Sequence, residues 1–412
     1  MRKWIAHPAE GNVKWWCMLR TLKHLKNLKG KRVLLRVDFN VPIDKHGVTD
    51  DTRIKETLPT IKFLLRKKAK VIVMTHLGRP EGHRVDSLKL DAVAACLKKL
   101  LGKKVEKLHN CVGKAVEAAV KKMKEGEIFL LENIRFHPEE EACEAKFVKA
   151  LTNLGDVFVN DAFAACHRKH ASVYGVAKLL PSYAGLLVER EIKFLTPLLS
   201  KYPKPLTLIV GGAKVDTKIG LLKNFFGKAE HILIGGALAN TFLAAQGFDI
   251  GKSLFEPEKL ETARELLLLA EKRGQKLVLP EDVIVADEIT QYAKTLDLPL
   301  EDIEGNMKIL DIGSRTRKRF GEIIKNSKTV IWNGPMGLYE FTPFASGTLT
   351  VAKTLAKMKG KAQTYLGGGD TVDALKRCGI STAKFTFVST GGGAMLEFLE
   401  GKKLPGIEVL MR

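Results

Sequence analysis

What this chain lacks narrows the reading first. No apolar run approaches the ~20 residues that span a bilayer, so a membrane partner is not expected. The six cysteines (Cys17, Cys96, Cys111, Cys143, Cys166 and Cys378) form no Cys-x-x-Cys pair and no metal-like cluster. Free thiols in the reducing cytoplasm are therefore the expectation. Cys166 lies inside a polar motif, where a small buried residue is expected and a reactive thiol is the alternative. The first 18 residues lack the continuous apolar segment of a secretory signal. They read either as a disordered extension or as a mis-assigned start with Met18 as the first residue.

Acidic residues are also short: 46 against 68 lysines and arginines, a formal charge of +22. Such a surplus suggests nucleic acid. The lysines, however, are spread over helix-like stretches such as 66–71 and 98–107, and no basic stripe interleaved with aromatics occurs. An anionic small substrate or a general bias toward Lys is the better account, and nucleic acid is not the expected partner. No sequence repeat is detectable. Neither the G-x-x-x-x-G-K-[ST] phosphate loop nor a G-x-G-x-x-G with a matching acid is present.

What is present is a large apolar content, 45% hydrophobic residues in 412, enough for two cores of about 200 residues each. Strand-like and helix-like segments alternate from residue 31 to about 395, which predicts an α/β fold of two doubly wound parallel-sheet domains. Residues 19–186 form the expected N-terminal domain, 187–200 a connecting helix that serves as hinge, and 201–395 the C-terminal domain. Residues 396–412 are a tail expected to pack back on the first domain. Glu189 is the candidate hinge contact, with a plain helix-surface acid as the alternative.

The two halves end their strands differently. Runs at 32–40, 71–79 and 128–136 close on cations, while those at 207–214, 231–238, 364–370 and 385–393 close on glycines. Ligands of open parallel sheets sit beyond the carboxyl ends of the strands. Arg36, Asp38 and Asn40 alternate and are expected to share one face. Arg53, His76, Arg79, Arg135, His167, Arg168 and His170 follow strand ends or adjoin them, and arginine forks suit phosphate and carboxylate. A compact substrate with two anionic ends would fit such a rim. In the second half, Lys214 and Lys218 are spaced to share a helix face, Asp370 is a hard oxygen ligand suited to Mg²⁺ with phosphates, and Glu340 could accept from a ribose hydroxyl. Gly391, Gly392 and Gly393 open a helix and form an expected anion site.

These residues fall within longer motifs: RVDFNVP (36–42), THLGRP (75–80), LENIRFHPEE (131–140), NDAFAACHR (160–168), GGAKVDTK (211–218), LPEDVIVAD (279–287), WNGPMGLYE (332–340), GGGDTVDA (367–374) and VSTGGGAMLEFLEGKKLPG (388–406). Together they resemble the phosphoglycerate kinase family from about residue 31 to 409. The resemblance implies two Rossmann-like domains closing around substrates. It also implies reversible phosphoryl transfer between 1,3-bisphosphoglycerate with ADP and 3-phosphoglycerate with ATP, in glycolysis and gluconeogenesis. Asp38, Asn40, Arg53, His76, Arg79, Arg135 and Arg168 then match the family's 3-phosphoglycerate site. Gly211, Gly212, Lys214, Lys218, Gly236, Asn333, Pro335, Glu340, Gly367, Gly368, Gly369, Asp370 and Thr371 match its ATP/ADP site, with Mg²⁺ near Asp370. A monomer is expected, with a dimer as the alternative.

No convincing catalytic base appears, and this chemistry needs none, because the acceptor is already an anion. Arg53, Lys214, Gly368 and the amides at Gly391 and Gly392 are expected to steady the migrating phosphoryl group. One departure stands out: Ala-Ala-Cys at 164–166 replaces the Gly-Thr-Ala of many relatives. It raises the alternative of an inactive relative, and the charge alone raises that of a nucleic-acid-binding protein.

Overall fold

The computed structural model describes residues 18–411, so Cys17 and the expected extension before Met18 lie outside the described residues. Contacts divide the chain into two compact units. One runs to Thr196 and takes in the terminal segment from Lys402; the other is Pro197–Gly401.

The first unit is built on six parallel strands. Their order across the sheet is Glu106–Lys107, Ile128–Leu130, Lys70–Met74, Arg32–Arg36, Val157–Asn160, Ser182–Ala184. The run RVLLR is apolar without alternation because both faces of the strand are covered. Val33 and Leu35 pack with Ile54, Ile61, Val93 and Leu97 on one side. Leu34 and Ile72 meet Phe147, Leu151 and Phe158 on the other. Each such Leu contributes roughly 1.5–3 kcal/mol. Helix Thr52–Arg66 turns Ile54, Leu58, Ile61 and Leu64 inward, one stripe at helical spacing.

The second unit carries another six-stranded parallel sheet, in the order Lys276–Val278, His231–Ile234, Leu206–Val210, Thr329–Asn333, Gln363–Gly367, Phe387–Val388. Numbered along the chain this is 3-2-1-4-5-6, the dinucleotide-fold order, with its switch point between Leu206–Val210 and Thr329–Asn333. A three-stranded antiparallel sheet stands beside it, with Asp282–Ala286 flanked by Leu296–Pro299 and Lys308–Ile312. The alternating α/β pattern did not announce this element, because its strands are short and only one is continuously apolar.

Helix Leu186–Leu195 and the turn Thr196–Leu199 occupy the region read as the connector. Helix Gly393–Leu399 packs on Ile219–Phe225 and stays with the second unit. Beyond it the terminal segment lies on the first unit: Gly406 N–H donates to the Cys166 carbonyl at 2.9 Å and Leu410 is fully buried. Arg20 holds the same segment by donating to the Val409 carbonyl at 2.7 Å.

Candidate active site

In the first unit the predicted polar and charged residues gather at the carboxyl ends of four adjacent strands. Asp38, His76, Arg135 and Arg168 follow Arg32–Arg36, Lys70–Met74, Ile128–Leu130 and Val157–Asn160 respectively, and Arg53 joins them from the first turn of helix Thr52–Arg66. Arg53 forms an ion pair with Asp38. Arg135 donates to the Gly78 carbonyl at 2.9 Å and pairs with Glu141 at 3.0 Å. Arg168 Nε donates to His167 Nε2 at 3.1 Å. Asn40 accepts from the Gly78 amide at 2.9 Å, and Arg79 stands exposed in the same loop.

Convergence is visible in the histidines. Burial, and then the charges of Arg36, Arg135, Arg53 and Arg168, hold His76 well below the usual imidazole range. Burial and the charges of Arg36, Arg135 and Arg168 bring His170 down to about 3. His167 is lowered as well, by burial and by Arg168. The histidines are thus neutral within an arginine cluster, and the positive charge belongs to the guanidinium groups.

Two expectations need correction. Arg36, Asp38 and Asn40 do not continue one strand: the strand ends at Arg36, and Asp38 Oδ1 accepts from the Asn40 amide at 3.0 Å, bending the chain. Arg36 is 1% exposed and faces inward, while Asn40 is exposed. Lys214 and Lys218 do not share a helix face either, because helix Ile219–Phe225 begins after both; Lys214 is exposed and Lys218 is buried.

The Ala-Ala-Cys departure forms a packed turn. Cys166 is fully buried, its thiol bonds the Ala162 carbonyl at 3.4 Å, and burial pushes it up to about 12. It is the small buried residue, not a reactive thiol, and Arg168 N–H donates to the Ala165 carbonyl at 3.1 Å on the same turn. All five described cysteines are free thiols.

In the second unit the glycines meet at the switch point. Gly211 N–H donates to the Asn333 carbonyl and Gly212 N–H to the Pro335 carbonyl, both at 2.9 Å, and Gly236 N–H donates to the Met336 carbonyl at 2.8 Å. A Cβ on Gly211 would stand 2.0 Å from the Pro335 oxygen, so this approach of backbones requires glycine. Asn333 donates to the Gly367 carbonyl at 2.7 Å and accepts from Lys218. Thr371 Oγ1 accepts from the Gly334 amide at 2.8 Å. Burial lowers Lys218 to about 8, against the opposing pull of Asp370 and Glu400. Gly368 caps helix Gly369–Arg377, while the Gly391 amide is taken by Ser389 Oγ at 3.0 Å.

Beside the switch point lies a cavity of 630 Å³, within the ~300–1,000 Å³ range of small-molecule sites. Gly212, Gly236, Pro335, Glu340 and Asp370 line it, as do Leu254, Phe255, Val283, Ile309 and Leu310, which sequence reasoning missed. Part of that wall is the antiparallel sheet. Asp311, also in the wall, is bonded by the Gly347 amide at 2.6 Å and the Ile312 amide at 2.9 Å; burial raises it to about 7. Among the described residues no cluster of three or more His, Cys, Asp or Glu could hold a metal ion. A Mg²⁺ ion that keeps its waters and is held by one carboxylate and substrate phosphates suits the exposed Asp370.

Missed residues in the first unit are Glu140, Ser172 and Asn133. Asn133 Oδ1 accepts from the amides of Leu77 at 3.2 Å and Arg135 at 3.1 Å, joining the loops that carry His76 and Arg135. Nothing distinguishes Glu140 from its two neighbouring glutamates in the sequence, nor Ser172 from any loop serine.

A doubly wound sheet with a backbone-lined cavity at its switch point, and a second sheet ending in clustered arginines, define an enzyme class that handles phosphorylated anions and a nucleotide. Comparison with known proteins makes the class specific. The phosphoglycerate kinase family profile matches residues 22–402. Curated phosphoglycerate kinases of Pelotomaculum thermopropionicum and Dictyoglomus turgidum are each 49% identical over 385 residues, covering 93% of this chain and 97% and 96% of theirs. The solved phosphoglycerate kinase of Coxiella burnetii superposes with a TM-score of 0.83 at 40% identity, and that of Pyrococcus horikoshii with 0.84 at 33%; each comparison covers 95% of this chain and 98% of the other. The chain belongs to the phosphoglycerate kinase family. It is a phosphotransferase with a carboxyl group as acceptor, and its reaction is the glycolytic, reversible transfer between 1,3-bisphosphoglycerate with ADP and 3-phosphoglycerate with ATP.

Proposed function

We propose that the first unit binds 3-phosphoglycerate through Asp38, Asn40, Arg53, His76, Arg79, Arg135 and Arg168, and that the second binds ATP or ADP along its switch point. The observation that carries the first half is the gathering of His76, Arg135 and Arg168 at the ends of adjacent strands, with Arg53 paired to Asp38 beside them. Asp38 and Glu141 already pair with two of these groups, so an incoming phosphate or carboxylate would share or replace those partners. For the second half it is the cavity lined by Gly212, Gly236, Pro335, Glu340 and Asp370. Asp370 would hold Mg²⁺, which when bound neutralises charge on the nucleotide phosphates.

The acceptor is the carboxylate of the glycerate or the β-phosphate of ADP, so no side chain has to remove a proton. The barrier is repulsion between anions and their misalignment, and catalysis is positioning plus electrostatic stabilisation. Arg53 would meet the transferred group from the acceptor side and Lys214 from the nucleotide side, with Lys218 and the backbone around Gly368 and Gly392 supporting it, the Gly391 amide being engaged by Ser389 Oγ. Closure of the two units on their ligands is the step that would bring the reactants together and shed water. The protein would work in the cytoplasm; among the described residues no helix is long and apolar enough to cross a membrane.

A coupled assay tests this. With 3-phosphoglycerate and MgATP together, turnover is expected, and omission of either substrate or of Mg²⁺ should abolish it. Turnover that is indifferent to 3-phosphoglycerate removes the proposed acceptor site.

A further inference from the structure

Arg36 is the arginine of the cluster that faces the interior, and its bonds lead from a buried acid to a substrate-facing histidine. Its Nη2 lies 3.2 Å from His76 Nδ1. A guanidinium has only donors, so Nδ1 must accept and cannot carry a hydrogen. The ring hydrogen is then on Nε2, which among the described residues no protein group takes.

Arg36 has no freedom to turn. Its Nε donates to Ser172 Oγ at 2.8 Å and its Nη1 donates to the Val37 carbonyl. Ser172 in turn donates its hydroxyl to Glu140 Oε1 at 2.6 Å and its amide to Glu140 Oε2 at 2.9 Å. Ser172 reaches this point because Ala171–Gly175 forms a single π-helical turn, an uncommon geometry that recurs at functional sites. Glu140 is completely buried and Arg36 is the charge that balances it.

We infer that Glu140, Ser172 and Arg36 are positioning residues: this buried line fixes His76 as the neutral Nε2–H tautomer and so presents one oriented hydrogen-bond donor to the bound anion. Asp38 Oδ1 would favour a hydrogen on Nδ1, but at 4.0 Å it is beyond hydrogen-bond reach, whereas Arg36 Nη2 is within it at 3.2 Å. Burial and the charges of Arg36, Arg135, Arg53 and Arg168 disfavour the imidazolium. A neutral donor held by its other nitrogen keeps one orientation, whereas an imidazolium would add a fifth positive charge to the cluster.

The inference rests on the assignment of His76 to the 3-phosphoglycerate site, and the experiment separates the two. Ring-¹⁵N spectra of the full chain labelled at histidine, with His76 identified by its absence in His76→Asn, should show Nε2 protonated and Nδ1 bare between about pH 6 and 8. An Nδ1–H ring or an imidazolium overturns the inference. Ser172→Ala should bring in the other tautomer and raise KM for 3-phosphoglycerate about tenfold, the cost of one hydrogen bond to a charged group, while KM for MgATP stays unchanged. A variant that melts lower yet keeps both KM values makes the line purely structural and overturns the role. Should the variant not fold, the wild-type spectrum still decides the tautomer. A ring in the stated tautomer whose Nε2 is unmoved by saturating 3-phosphoglycerate removes His76 from the substrate site instead.

Discussion

Arg53 leaves the first turn of its helix to pair with Asp38, a carboxylate only 8% exposed. In that place it can release one anion to meet another. Arg53→Ala is expected to lower kcat by ~10² or more, the loss typical of removing a main transition-state donor, with KM for MgATP nearly unchanged. Steady-state kinetics with each substrate varied checks this, and normal turnover would take Arg53 out of the mechanism. Lys218 makes a second prediction. Its amine titrates at about 8 because of burial, so its charge is present below that pH and is lost as the pH rises through it. The free enzyme's kcat/KM for MgATP should therefore fall above about pH 8, and Lys218→Arg should remove that limb. These residues were legible in the sequence because they sit in long motifs at strand ends. Glu140 and Ser172 were not, since a buried acid bonded to a serine 32 residues away leaves no local spacing to read.

At the scale of elements, the strand ends of the second unit depend on backbones approaching each other. Gly334 has φ +93°, and a Cβ there would stand 2.3 Å from the Gly211 carbonyl oxygen. Gly334→Ala should cost about 2 kcal/mol or more and weaken nucleotide binding, read by denaturant unfolding and by calorimetry with MgATP. Unfolding at the wild-type midpoint would show that the loop relaxes freely. The terminal segment makes a separate case. Leu410 is fully buried, so Leu410→Ala is expected to cost about 2–5 kcal/mol, measured as a lowered unfolding midpoint. A cost near zero would mean the segment frays. The antiparallel sheet escaped the sequence because its flanking strands, Leu296–Pro299 and Lys308–Ile312, are short and only partly buried. Their value lies in walling the cavity, which no local pattern encodes.

For the molecule as a whole, the charge of +22 should hasten encounters with anionic substrates. Raising ionic strength from about 0.01 to 0.15 M shortens the screening length from ~30 to ~8 Å. We expect kcat/KM for 3-phosphoglycerate to fall about threefold or more over that range, with kcat less affected. A flat profile under stopped-flow or steady-state conditions would leave the charge without this role. By itself the sequence determined the α/β alternation, the cationic and glycine-ended strands and the family, because these follow from local periodicity and contiguous motifs. Only tertiary structure decided that Arg36 faces inward, that Lys214 and Lys218 part company, and that an antiparallel sheet walls the cavity. Each of those depends on which distant groups satisfy a buried donor or fill a buried space, and burial is a property of the packed chain rather than of any segment.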